Sequence, residues 1–136
     1  MESNPQLISF RVYFKNRPNL YTYIKNLYVL ETHIRTYGIS TIHKIIFYFM
    51  DNHSYPYNMH TITLEREKSN DRFIVIFYHY YNAYNTRINI RAEQQLYDYV
   101  VLLHTICTTA NLWYYIGVFI INPMPLIALK YGVEMS

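Results

Sequence analysis

Apolar and polar residues alternate from Leu7 to Lys15 with the period of two that half-buries a strand. The period then lengthens. Leu20, Tyr23, Ile24, Leu27, Leu30 and Ile34 recur three and four apart, and with Pro18 ahead of them and Gly38 behind they predict one helix with a proline start and a glycine stop. Its outer face would carry Tyr21, Lys25, Tyr28, Thr32 and Arg35. β-Branched and aromatic residues predict strands over 41–50, 59–67 and 72–81, with a Pro- and Asn-containing turn between the first two and a turn at 68–71. A shorter strand over 86–91 follows the turn Asn-Ala-Tyr-Asn. Leu96, Tyr99, Val100, Leu103, Cys107 and Ala110 then share one face of a second helix over 92–110, and 112–121 with 126–131 reads as a hairpin around Asn-Pro-Met-Pro.

The order is strand, helix, three strands, then strand, helix, two strands. It predicts two similar halves, about 7–81 and 86–131, with two helices on one face of antiparallel sheets, an α+β layered fold. No low-complexity linker interrupts the pattern. With 136 residues, 51% of them hydrophobic, the chain is long enough for one sizeable core and one domain over 1–136.

Composition changes the picture at the surface. Charged residues make up 15% of the chain, against about 25% in an average soluble domain, while tyrosine occurs 17 times. Tyrosine, asparagine and threonine must therefore supply much of the exterior, leaving aromatic rings for self-association or partners. The net charge of +3 permits an anionic partner, but the basic residues are spread along the chain rather than clustered. The single cysteine, Cys107, excludes an intramolecular disulfide and fits a reducing compartment. The N-terminus lacks a basic region followed by an apolar run, and the longest apolar run, 112–121, is too short to span a bilayer. These features predict an intracellular protein of nucleus or cytoplasm. The abundance of tyrosine, asparagine and isoleucine suggests an AT-rich genome, as in some viruses.

Candidate chemistry is sparse. The histidines at 33, 43, 53, 60, 79 and 104 show neither the helical i, i+4 spacing nor the close Cys/His spacing of a zinc site, although His53 and His60 could meet across a hairpin. Cys107 sits on the apolar face of the second helix, where cysteine usually acts as a small core residue. Gly38, Gly117 and Gly132 are too far apart for a phosphate-cradling loop, and Glu93 and Asp98 flank one helical turn as solvated carboxylates. Arg72-Phe-Ile-Val-Ile-Phe-Tyr has the aromatic character of an RNA-recognition strand but lacks that motif's glycine, and reads as a core strand. No enzyme, metal or cofactor is expected.

Phe49-Met-Asp-Asn-His-Ser-Tyr, followed by the strand His60-Thr-Ile-Thr-Leu-Glu, resembles a segment and its following strand in sliding DNA clamps of the proliferating cell nuclear antigen type. Phe10-Arg-Val-Tyr-Phe before Leu20-Tyr-Thr-Tyr-Ile-Lys-Asn-Leu is similar to the family's opening strand and first pore helix. Ile88-Asn-Ile before the second helix, and Pro125-Leu-Ile-Ala-Leu-Lys-Tyr at the close, resemble the rest of one clamp domain. The resemblance implies helices that line a hole around duplex DNA and a pocket for short peptides of DNA-processing proteins. It places Lys25, Arg35, Arg87, Arg91, Tyr21 and Tyr28 towards DNA, and Met50, His53 and Tyr55 at the peptide pocket.

Two departures accompany it. Family clamps hold two or three such domains per chain, so closing a ring would take about six copies of this chain joined by strand edges, or partners that supply the other domains. Positions where the family places lysines read as Tyr21, Thr22, Tyr28, Gln95 and Asp98. The expected function is a non-enzymatic processivity or scaffold factor for DNA replication or repair, acting as a homo-oligomeric ring or ring segment. The alternative is an interaction module, virus-encoded for instance, with the same α+β fold and no DNA contact.

Overall fold

The computed structural model describes residues 6–50, 59–67, 72–79, 82–109, 111–122 and Leu126. Six strands form one antiparallel sheet: β1 (Gln6–Phe14), β2 (Arg17–Ile24), β3 (Ile42–Met50), β4 (Met59–Arg66), β5 (Arg72–His79) and β6 (Asn82–Asn89), in the spatial order β2-β1-β3-β4-β5-β6. Three helices accompany it: α1 (Leu27–Tyr37), α2 (Glu93–Cys107) and α3 (Leu112–Ile121). The chain is thus α+β, with one open sheet.

Register explains why the helices gather on one face of the sheet. Phe10 lies opposite Phe47, Phe47 opposite Ile62 and Ile62 opposite Phe77, while Val12, Ile45, Leu64 and Val75 form the adjoining row. All eight are buried, and they share a face because side chains alternate along each strand. Phe14 meets Tyr37 of α1, Phe10 stacks against His104 of α2, and Phe77 meets Phe119 of α3, so the three helices cover that same face. Leu30 and Ile34 of α1, with Leu96, Leu103 and Cys107 of α2, complete the core.

Residues 17–24 form a strand where the pattern predicts the first half of a helix. The spacing of Leu20, Tyr23 and Ile24 is helical, and pairing with β1 overrides it: Phe10 faces Ile24 in the core, while Arg11 faces Tyr23 and Tyr13 faces Tyr21 on the other side of the sheet. Pro18 is tolerated because β2 is an edge strand, where a missing N–H need not cost a ladder bond. The helix starts instead at Asn26, whose side-chain oxygen accepts from the Val29 N–H at 2.9 Å. It ends at Gly38 as expected, with φ +79° and the Gly38 N–H donating to the Ile34 carbonyl.

Residues 112–121 form α3 where a strand is predicted. Leu112, Ile116 and Phe119 are buried at helical spacing, against α2 and β6, so packing overrides the β propensity of this aromatic and branched run. The described residues therefore hold three α-helices rather than two. The closing hairpin and the two-half reading of 7–81 and 86–131 lose their support: all six strands precede residue 90, and 127–131 lie outside the described residues. β6 also begins earlier than the predicted 86–91. Among the described residues no helix is long and apolar enough to cross a membrane.

Candidate functional site

The face of the sheet opposite the helices carries side chains of a different kind. Arg11 and Tyr13 on β1, Tyr21 and Tyr23 on β2, and Lys44, Ile46 and Tyr48 on β3 occupy it by register. Across the sheet it continues through Thr61, Thr63 and Glu65 of β4 and Ile74, Ile76 and Tyr78 of β5 to Asn85 and Arg87 of β6. Tyr21, Tyr23 and Tyr78 are each about half exposed.

The β2-β1-β3 half interleaves rings and cations. The Arg11 guanidinium lies 4.5 Å from the Tyr21 ring centre and 4.6 Å from that of Tyr48. Lys44 Nζ lies 4.7 Å from the centre of Tyr13, which in turn sits 5.6 Å from Tyr21. No acidic residue occurs in β1, β2 or β3, nor in the 15–16 link between β1 and β2. In the other half Glu67 takes Arg87, while Glu65 of β4 lies opposite Lys44 and 3.7 Å from His43 Nε2, so one carboxylate borders the cationic half at β3.

A cavity of about 690 Å³ opens at the end of this half, between the β1–β2 turn and the C-terminal end of α1. It exists because β2 bulges: Phe14 pairs with Arg17 and the adjacent Tyr13 with Tyr21, leaving residues 18–20 without a counterpart on β1. Its far wall is fixed by the link from α1 to β3. There the Lys15 N–H donates to the Thr41 carbonyl at 2.8 Å, and Arg66 donates to the carbonyls of Ile39 and Ile42.

The residues expected to contact DNA do not form one patch. Tyr21 lies on the open face at one edge of the sheet and Arg87 at the other, roughly 24 Å away at about 4.8 Å per strand. Tyr28 and Arg35 belong to α1, on the helix side; Tyr28 is strongly exposed, whereas Arg35 pairs with Glu31 at 2.8 Å. Lys25 is exposed in the link between β2 and α1, and Arg91 is exposed between β6 and α2, its backbone N–H donating to Gln95 Oε1. Of the expected peptide pocket, Met50 is half-buried at the end of β3, while His53 and Tyr55 lie outside the described residues.

Sequence reasoning missed Arg11, Tyr13, Tyr23, Lys44 and Tyr48. A signal was present: between Glu2 and Asp51 the only acidic residue is Glu31, against Arg11, Lys15, Arg17, Lys25, Arg35 and Lys44.

Cys107 is fully buried, and desolvation pushes its thiol well above the ordinary value, which suits a core residue and not a nucleophile. Among the described residues no group of three histidine, cysteine or acidic side chains is placed to hold a metal. His60 is buried between Phe49 and Trp113; its expected hairpin partner His53 lies outside the described residues. Comparison with family models, curated proteins and solved structures returns no match to this chain.

Proposed function

We propose that the chain is a non-enzymatic nucleic-acid-binding module that receives a single strand on the open face of β2, β1 and β3. One observation carries the reading: four tyrosines alternate with Arg11 and Lys44 on three neighbouring strands that hold no acidic side chain. Rings offer stacking surfaces to unpaired bases, at about 1–3 kcal/mol per base, while the cations meet the phosphates between them. Duplex DNA offers no free base faces, so the same surface favours a single strand. This reading keeps the nucleic-acid partner expected from the sequence and moves it from the helices to the sheet.

Fluorescence anisotropy with a short labelled oligonucleotide tests it. Wild-type protein should bind the single strand in preference to the duplex, and log affinity should fall linearly with log salt by about 0.7 per phosphate neutralised. Lys44→Gln should flatten that slope by about one phosphate, and Tyr23→Ala should weaken binding about tenfold or more. Absence of binding at low salt, or equal binding by both variants, removes the proposal.

A clamp-like ring is the second reading, favoured by three helices on one side of a single sheet, whereas the bulge and Pro18 of β2 count against it because ring closure would use that margin. It requires β2 of one copy to pair with β6 of the next. A ring-sized mass in light scattering supports it, and a monomer at high concentration ends it.

A further inference from the structure

We infer that the cavity beside the β2 bulge is a binding site for a nucleoside monophosphate. Its volume of about 690 Å³ falls within the roughly 300–1,000 Å³ usual for small-molecule sites. The lining separates into two chemical zones. Phe14 and Tyr37 meet edge to face at 5.1 Å and, with Leu20, supply an aromatic and apolar wall of the size a base requires. Lys15 and Arg17 stand at the turn between β1 and β2, both exposed, and supply the positive end.

Among the described residues no acidic side chain lines the cavity, and neither cation forms an ion pair. An apolar ligand would leave both charges unused, and inorganic phosphate alone would leave the aromatic wall unused. A flat ring joined to a phosphate by a sugar engages both zones. The Arg17 guanidinium suits a phosphate through paired N–H donors, and Lys15 adds a compact second charge.

The walls are held before any ligand arrives. Gly38 turns the chain at the end of α1, and Arg66 fastens the carbonyls of Ile39 and Ile42 on either side of Ser40 and Thr41. Such preorganisation reduces the ordering cost of binding. Tyr21 lines the cavity and also packs against Arg11 on the open face, so the two surfaces adjoin. The site nevertheless stands without oligonucleotide binding, because a mononucleotide can enter whether or not a strand lies on the sheet.

Isothermal titration of the full chain with adenosine 5′-monophosphate, adenosine and inorganic phosphate tests the inference. The monophosphate should bind saturably and at least about tenfold more tightly than either fragment, since each fragment meets one zone only. The charge-reversed pair Lys15→Glu with Arg17→Glu should abolish that preference over adenosine, and Tyr37→Ala should abolish the preference over phosphate. All three positions are exposed, so circular dichroism should show an unchanged fold. The inference is overturned if the monophosphate fails to saturate at millimolar concentration, if phosphate alone binds as tightly, or if the charge-reversed pair binds like wild type. Oligonucleotide anisotropy on the same variants reads the open face separately: loss of monophosphate binding with strand binding retained assigns the effect to the cavity.

Discussion

Arg11 places its guanidinium carbon 4.5 Å from the centre of the Tyr21 ring while its Nε is buried, without a hydrogen-bond partner among the described residues. The gain from the ring, about 0.5–1 kcal/mol at exposed sites and more when desolvated, is opposed by the cost of the orphaned donor. Arg11→Met should therefore change folding stability by less than about 1 kcal/mol in urea denaturation. Single-strand affinity should fall with it. A collapse of the fold would make Arg11 a structural member of the sheet and not part of a binding surface.

Gly117 and Gly38 should respond to alanine in opposite directions. Gly117 is exposed inside α3, and a Cβ there meets nothing within 4 Å, so Gly117→Ala should stabilise by about 0.5–1 kcal/mol. Gly38 has φ +79° and ψ 157°, a region that side chains avoid, and Gly38→Ala should cost about 1–3 kcal/mol. Thermal melts compare the two directly. Destabilisation by Gly117→Ala would contradict a helix at 112–121.

Asn26 marks where strand gives way to helix. Removing its cap with Asn26→Ala should cost about 1 kcal/mol, read as a lower urea midpoint with an unchanged slope. An alanine at Asn19 should have little effect, because Asn19 lies in the bulge of β2 and is exposed. Equal losses at both positions would return the helix start to the neighbourhood of Pro18.

His104 gives folding a pH dependence. Burial lowers its pKa below the ordinary 6.5, so the unfolded chain takes up the proton more readily. Stability contributed by the neutral ring is complete above about pH 6.5 and declines as pH falls through the unfolded value towards the lower folded one. The neighbouring ring is Phe10, stacked at 6.3 Å, which offers no charge to hold an imidazolium. Urea midpoints measured from pH 7.5 to 5 should fall in the wild type, and the decline should be shallower in His104→Gln. Parallel curves would assign the acid sensitivity to other groups.

Strands β1, β3, β4 and β5 were legible because each has β-branched and aromatic residues at alternate positions and a turn beside it. The second helix was legible because Leu96, Tyr99, Val100, Leu103 and Cys107 repeat with one period over a long run. Leu20, Tyr23 and Ile24 misled because their spacing continues that of Leu27, Leu30 and Ile34 in α1, and only the partner strand β1 shows that the segment is extended. The segment 112–121 misled for another reason. Its residues favour strands locally, and the surface that turns it into a helix is built by residues distant in sequence, Phe77 and Tyr99 among them.

The candidate site was less legible than the fold. Tyr21 was identified from a supposed helix face and lies instead on the open sheet, beside Arg11 and Tyr13. Joining Arg11, Tyr21 and Tyr48 requires the register of three strands, which alternation alone does not supply. The cavity depends on a bulge of residues 18–20, and no periodicity announces where a strand will break step.

That break in step bears on how copies could join. A sheet edge propagates only where its N–H and C=O groups run in unbroken sequence, and β2 is interrupted by its bulge and by the missing donor of Pro18. β6 at the opposite margin pairs with β5 without a register shift over its whole length. The molecule thus has one intact margin and one blunted margin. Head-to-tail growth needs both, whereas β6 against β6 of a second copy satisfies itself about a two-fold axis. Edge-to-edge assembly would stop at a pair, and the bulge that shapes the cavity would also act as a chain terminator against fibre formation.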